Sequence, residues 1–290
     1  MSLAFLRFSL ASVLLLPFII ISHQHFIDIK KPRNKSMKIS SVINPKHWPA
    51  LVLIGLLIVT FHIFFFYEGL ARTAAINASV LSLVAPMFSV LAGWWFLKER
   101  IYWINLLGVS SGLIGAVVIV GIPLVLIGNL TATTLIGNLL IICSSVSFVI
   151  GAIISKQMLK IYHPLVIISI AFMIGAISFL PLAVIEYLRQ PEWVNQVTIF
   201  GLIGVGYTTL MSSISAYFLY EWAIKRIGII RADVMQYLQP IIAASLAVPI
   251  LNEQISISFI IGTCLIVAGV YWGTMGKSEH NHHSLRHHRV

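Results

Sequence analysis

Nine uninterrupted apolar runs, each long enough to cross a bilayer as a helix, constrain this chain more than any motif does. They lie near residues 3–22, 49–68, 74–97, 102–121, 134–155, 165–186, 198–220, 230–250 and 255–274. A hydrocarbon core of about 30 Å needs roughly 20 such residues per helix. Strands of a membrane barrel would instead alternate polar and apolar residues over about ten positions, so a barrel is excluded. Only 10% of the 290 residues are charged and 59% are hydrophobic, against roughly a quarter charged in soluble domains. The expected class is an all-α, polytopic membrane protein with about nine transmembrane helices.

The formal charge of +10 sits in short clusters between the apolar runs, so its expected partner is the lipid bilayer with its anionic surface and not nucleic acid. Lysine and arginine also report orientation. The first loop carries Lys30, Lys31, Arg33, Lys35, Lys38 and Lys46. Every second loop after it is basic too: Lys98 and Arg100, Lys156 and Lys160, Lys225 with Arg226 and Arg231, and the tail with Lys277, Arg286 and Arg289. The alternate loops hold only Arg72 and Arg189. This places the C-terminus in the cytoplasm and, with nine spans, Met1 outside the cell membrane. A cleaved signal peptide at Met1 to His23 fits less well, because no small-residue cleavage site follows the apolar core and cleavage would export the basic loop.

The stretch from Tyr67 to Gly115 occurs twice. Tyr67, Glu68 and Arg72 recur as Tyr220, Glu221 and Lys225 at an offset of 153; Pro86, Glu99, Gly108 and Gly115 recur as Pro240, Glu253, Gly262 and Gly269 at an offset of 154. The chain therefore divides into a first repeat at 1–128, a second at 129–275 and a His-rich tail at 276–290. The second repeat holds five spans and the first only four, so a leading helix is expected ahead of Met1, lost or cut off by a late gene start. Five spans per repeat is an odd number, which inserts the two copies in opposite orientations, the inverted plan of secondary transporters.

Polar residues within the spans are few. Pro86 and Pro240 lie mid-span, where proline leaves the carbonyl four residues back without its donor. Spacings of three and four put Ser79, Ser82 and Pro86 on one helical face and Asp233, Gln236 and Pro240 on its repeat mate. These faces are expected to kink their helices and to confront each other across a pathway, a satisfied kink being the plainer alternative. Arg7 is split between a substrate contact and a snorkelling anchor. His62, mid-span, is more simply a satisfied interior group than a proton or ligand carrier. Glu68 with Arg72 and Glu221 with Lys225 have the favourable i,i+4 order of a helix pair; a gate is the sharper reading.

Small residues form further faces: Gly108, Ser111, Gly112 and Gly115; Gly269 and Gly273; Ser144, Ser147, Gly151 and Ser155; Gly201, Gly204, Thr208, Ser212 and Ser215. Such faces are packing seams first. The seven tryptophans near span ends form an interfacial belt, and Cys143 and Cys264 are expected to behave as small buried hydrophobes. No His, Asp or Glu set has metal-ligand spacing, and the tail histidines, His280, His282, His283, His287 and His288, lack a folded frame. No cofactor and no metal are expected.

A proline-bearing span closed by a glutamate and followed by a glycine-bearing span, present as Pro86, Glu99, Gly108 and Gly115 and again as Pro240, Glu253, Gly262 and Gly269, resembles the drug/metabolite transporter superfamily, in its EamA type. The opening Phe5-Leu6-Arg7-Phe8 is similar to the start of that family's second helix, where an arginine is common. The resemblance runs from Met1 to about Thr274. It implies ten helices in two inverted repeats, a central cavity, alternating access and small metabolites such as amino acids as cargo; this chain departs by lacking the first helix.

The resulting expectation is a carrier and not an enzyme. Its candidate cavity lining is Arg7, His62, Ser82, Ser144, Tyr207, Ser212, Gln236 and Gln239, with Asp233, Glu68 and Glu221 for coupling or gating. Expected partners are a small-molecule substrate and a proton or other coupling ion, with a homodimer left open. The alternatives are a membrane-embedded enzyme acting on a lipid-linked substrate, which would need converging acids or metal ligands, and a degenerate, non-transporting membrane protein.

Overall fold

The computed structural model describes residues 1–27, 43–73, 78, 81–97, 102–120, 132–239, 241–242 and 257–275. Every described element is helical, and each of the nine apolar runs contains helix. We number them α1 (Ser2–Ile27), α2 (Pro45–Leu70), α3 (Ala85–Leu97), α4 (Trp103–Val120), α5 (Ala132–Met158), α6 (Pro164–Arg189), α7 (Ile199–Ile227), α8 (Ile229–Val234, continued by a 3-10 turn at Met235–Leu238) and α9 (Ile257–Met275). Among the described residues α2, α5, α6 and α7 are each long and apolar enough to cross a membrane unaided. A lipid solvent explains the secondary structure, because each helix satisfies its own backbone where no water can. It also explains the large apolar groups left outside, such as Trp95 and Phe200 at 75% and 80% exposure. Cys143 and Cys264 lie on exposed faces as well, contrary to the expected burial. The protein is an all-α, polytopic membrane protein.

The helices gather into two compact units, each drawing on both sequence repeats: Met1–Thr73 with Ala132–Arg226, and Ala74–Thr131 with Ile227–Val290. In the first unit Phe8 of α1 packs on Phe172 and Phe179 of α6 at centroid distances of 5.4 and 6.1 Å. Helix α2 runs antiparallel to α5, held by a ladder of small residues. A Cβ at Gly69 would meet Ile141, and one at Gly151 would meet Ile58 at 2.5 Å. Ser147 donates to the Leu57 carbonyl at 2.9 Å. The α5 small-residue face is thus a packing seam.

Two helices carry the same irregularity at the same place in the repeat. Helix α2 widens to a π-helix over Gly55–Phe61, and α7 does so over Thr208–Ser215. The two segments start 153 residues apart. Their surroundings differ: Ile58 is 2% exposed under α5, whereas its mate Met211 is 53% exposed. Nothing among the described residues would contact a Cβ at Gly204, so the expected α7 seam is an open face.

In the second unit α4 and α9 cross antiparallel with their backbones in contact. A Cβ at Gly108 would lie 2.7 Å from the Gly269 carbonyl, and one at Gly115 would lie 2.6 Å from the Gly262 carbonyl. The repeat offset of 154 exchanges these two contacts, so the crossing has local two-fold symmetry. Ser111 donates to the Leu265 carbonyl beside that axis, and Asn105 donates to the Gly273 carbonyl.

The helix is interrupted by turns at Leu83 and Val84, just ahead of Pro86, which then occupies the first turn of α3. Proline is well placed there, since the first turn has no use for its missing amide. A 3-10 turn covers Met235–Leu238; Pro240 and Ser79 themselves lie outside the described residues. Gly228, at φ 87°, links α7 to α8 in a conformation that a side chain would strain.

Candidate functional site

The candidate residues fall into two groups, one in each unit. In the first, α1 presents Arg7 to the π segment of α7. Its Nε donates to Ser213 Oγ at 2.5 Å and its Nη2 to Ser212 Oγ at 3.2 Å, and the guanidinium lies 5.2 Å from the Phe8 ring centroid. Ser213 is fully buried and stands fourteen residues from either end of α7. At about 1.5 Å per residue the guanidinium therefore binds at the middle of that span. Sequence reasoning named Ser212 and missed Ser213. Neighbouring residues diverge by about 100° in an α-helix, and the wider π turn, invisible in the sequence, reduces that divergence.

His62 begins the α-helical turn after the α2 π segment. Its Nδ1 lies 2.8 Å from Ser144 Oγ, and Ser144 donates its hydroxyl to the His62 carbonyl at 2.8 Å. The Phe148 ring stands 4.9 Å from the imidazole. Ser144 and His62 thus satisfy each other across the α2–α5 seam. Tyr207, last before the α7 π segment, is 66% exposed.

Glu68 and Arg72 form the expected ion pair at 2.5 Å. The repeat mate does not: Glu221, 2% exposed, accepts from Ser155 Oγ at 2.6 Å, while Lys225 reaches the Tyr162 carbonyl at 3.4 Å. The spacing was right for a pair, but packing against α5 turns the carboxylate inward while the lysine takes a loop carbonyl. At the N-terminus of α6, His163 Nδ1 accepts from the Leu165 amide at 3.3 Å. Burial, and then the charge of Lys225, hold the His163 imidazole below its ordinary pKa.

The second group joins α3 to α8. Asp233, fully buried, accepts from Gln236 Nε2 at 2.8 Å and from the hydroxyl of Ser89, also fully buried. Asp233 of the α8 face meets α3 through Ser89, which sequence reasoning passed over because its repeat position carries no polar partner. Ser82 instead returns its hydroxyl to the Ala78 carbonyl at 2.8 Å, a bond that bends helices. Gln239 is exposed. Among the described residues no His, Cys, Asp or Glu cluster could hold a metal ion.

Comparison with known proteins decides the class. The EamA-like transporter family matches residues 1–121 and 135–275. The chain belongs to the EamA-like transporter family. It is similar to an uncharacterized transporter of Archaeoglobus fulgidus, at 27% identity over 96% of this chain and 89% of that one. It is likewise similar to an uncharacterized transporter of Clostridium kluyveri, at 28% identity over 76% and 70%. A solved crystal structure shares the fold at a TM-score of 0.72, with 18% identity over 94% of this chain and 86% of its own. As an EamA-like protein the chain is a membrane transporter.

Proposed function

We propose that this EamA-like protein is a secondary transporter that carries a small metabolite across the cytoplasmic membrane by alternating access, with its C-terminus in the cytoplasm and Met1 outside. The observation that carries the reading is the pair of π segments, Gly55–Phe61 and Thr208–Ser215, at matching positions of the repeat. Such segments concentrate at functional sites. Irregular backbone at membrane depth is tolerated only against protein or beside a water-filled cavity. Here it recurs in two helices that the charge pattern sends through the membrane in opposite senses, as alternating access by two inverted repeats requires.

Asp233 serves as the coupling group, taking and releasing a proton between Ser89 and Gln236, and the Glu68–Arg72 pair closes one end of α2. Counterflow into proteoliposomes containing the purified chain, screened over labelled amino acids and related metabolites, tests the reading. Protein-dependent uptake of at least one solute is expected. Gln236→Leu should leave membrane insertion intact and reduce that uptake; unchanged kinetics would remove Gln236 from the pathway.

A further inference from the structure

Arg7 carries a charge inside a span of the first unit, and no described carboxylate pairs with it. Guanidinium is always a cation and is expensive at membrane depth unless paired. Among the described residues its two hydrogen bonds go to the neutral hydroxyls of Ser212 and Ser213. Its charge also acts on His62 and Tyr217, neither of them an anion partner. The described carboxylates of the interior are taken elsewhere: Glu68 by Arg72, Glu221 by Ser155, and Asp233 by Ser89 and Gln236. Of the five N–H donors that arginine owns, the two serines use two.

The remaining donors form the planar edge that takes a carboxylate through two parallel bonds. Ser212 is exposed, and its hydroxyl can add a third bond to the same anion. Ser213, fully buried, fixes the guanidinium from behind. We infer that Arg7, braced by Ser213 and joined by Ser212, is the binding site for the carboxylate of the transported substrate, an organic monoanion. The inference rests on the transporter reading above. One cation and two hydroxyls match a single carboxylate; a phosphate dianion would call for a second cation, and none of the described neighbours supplies one.

The test uses the full chain in lipid nanodiscs, with Tm followed by tryptophan fluorescence during titration with benzoate, hexanoate and N-acetyl-leucine, each against its primary amide. At least one acid should raise Tm saturably while its amide does not. Arg7→Gln should weaken that acid's apparent affinity by about tenfold or more, the loss of a charge-assisted pair, and Arg7→Lys by less. If no acid outperforms its amide, or if Arg7→Gln binds the acid as the unaltered chain does, the assignment is overturned. Should Arg7→Gln fail to fold, the comparison of acid with amide and Arg7→Lys still decide.

Counterflow separates this inference from the transporter reading. Uptake of a neutral or cationic solute that persists in Arg7→Gln overturns the carboxylate site and leaves transport standing. Acid binding lost in Arg7→Gln, without counterflow of the bound acid by the unaltered chain, supports the site and overturns transport.

Discussion

Ser111 and Leu265 are repeat mates, 154 residues apart in sequence, and the Ser111 hydroxyl donates to the Leu265 carbonyl at 2.9 Å. A bond between equivalent positions arises where a two-fold axis passes, and the exchanged contacts Gly108 with Gly269 and Gly115 with Gly262 lie to either side of it. The duplication is therefore built into the packing of α4 on α9.

A side chain at this crossing should be intolerable, while the open face of α7 should accept one. A Cβ at Gly112 would come within 2.4 Å of the Tyr237 ring, and one at Gly269 within 2.5 Å of the Gly112 amide. Gly269→Leu is expected to cost more than the ~1–3 kcal/mol of ordinary overpacking, because backbone and not a movable side chain blocks the space. Gly204→Leu should leave stability within about 0.5 kcal/mol. Tm and monodispersity of the purified variants in detergent check both; equal behaviour of the two would contradict the crossing.

Glu221 and Ser155 offer a second check. Ser155 Oγ donates to the carboxylate at 2.6 Å, and both groups are buried. Glu221→Gln keeps an acceptor for the hydroxyl and should fold normally. Glu221→Ala leaves the hydroxyl without a partner and opens a cavity, which should lower stability by ~1–3 kcal/mol. Lys225→Ala should cost less than about 0.5 kcal/mol, since Lys225 does not pair with Glu221. A double-mutant cycle over Ser155 and Glu221 that returns no coupling would refute the contact.

What the sequence revealed followed physical necessity. Apolar runs must become helices in lipid, so the helices could be read directly, and the small-residue faces of α4 and α9 could be read as packing seams, though which helix each would meet could not. Nor could the π segments. GLLIVTF is almost wholly apolar whereas TTLMSSIS is rich in hydroxyls, so no common pattern marks them, and contacts from other helices, such as Ser147 on the Leu57 carbonyl, are not written in either segment. The Glu221–Lys225 pair failed for the same reason, because local spacing gives no account of what α5 presents. Arg7 was legible as a polar residue, but its depth was not, since depth depends on which residue of α7 it meets.

Asp233 carries the prediction for coupling. Its carboxylate is fully buried and held by Ser89 and Gln236. Asp233→Asn keeps an acceptor oxygen for Gln236, and its Nδ2 can donate to the Ser89 oxygen once that hydroxyl turns, so it should fold, yet it can no longer exchange a proton. Uptake driven by an imposed pH gradient should fall at least tenfold, while exchange without a gradient should persist. Ser89→Ala removes one donor and should destabilise by about 1 kcal/mol. Gradient-driven uptake unchanged in Asp233→Asn would take this residue out of the mechanism.

The turn between α5 and α6 should respond to pH through His163. Its Nδ1 caps α6 by accepting from the Leu165 amide, which only the neutral ring can do. Burial and the Lys225 charge hold its pKa below the ordinary 6.5. An unfolded chain would therefore bind more protons than the folded one as pH drops through that ordinary value, so the stabilising contribution is complete above it and is lost below. The chain should accordingly show a lower Tm at pH 5.5 than at pH 7.5. His163→Asn preserves a capping acceptor without titrating, and its Tm should vary less across the same window. An equal pH dependence in the two would show that His163 does not carry the effect.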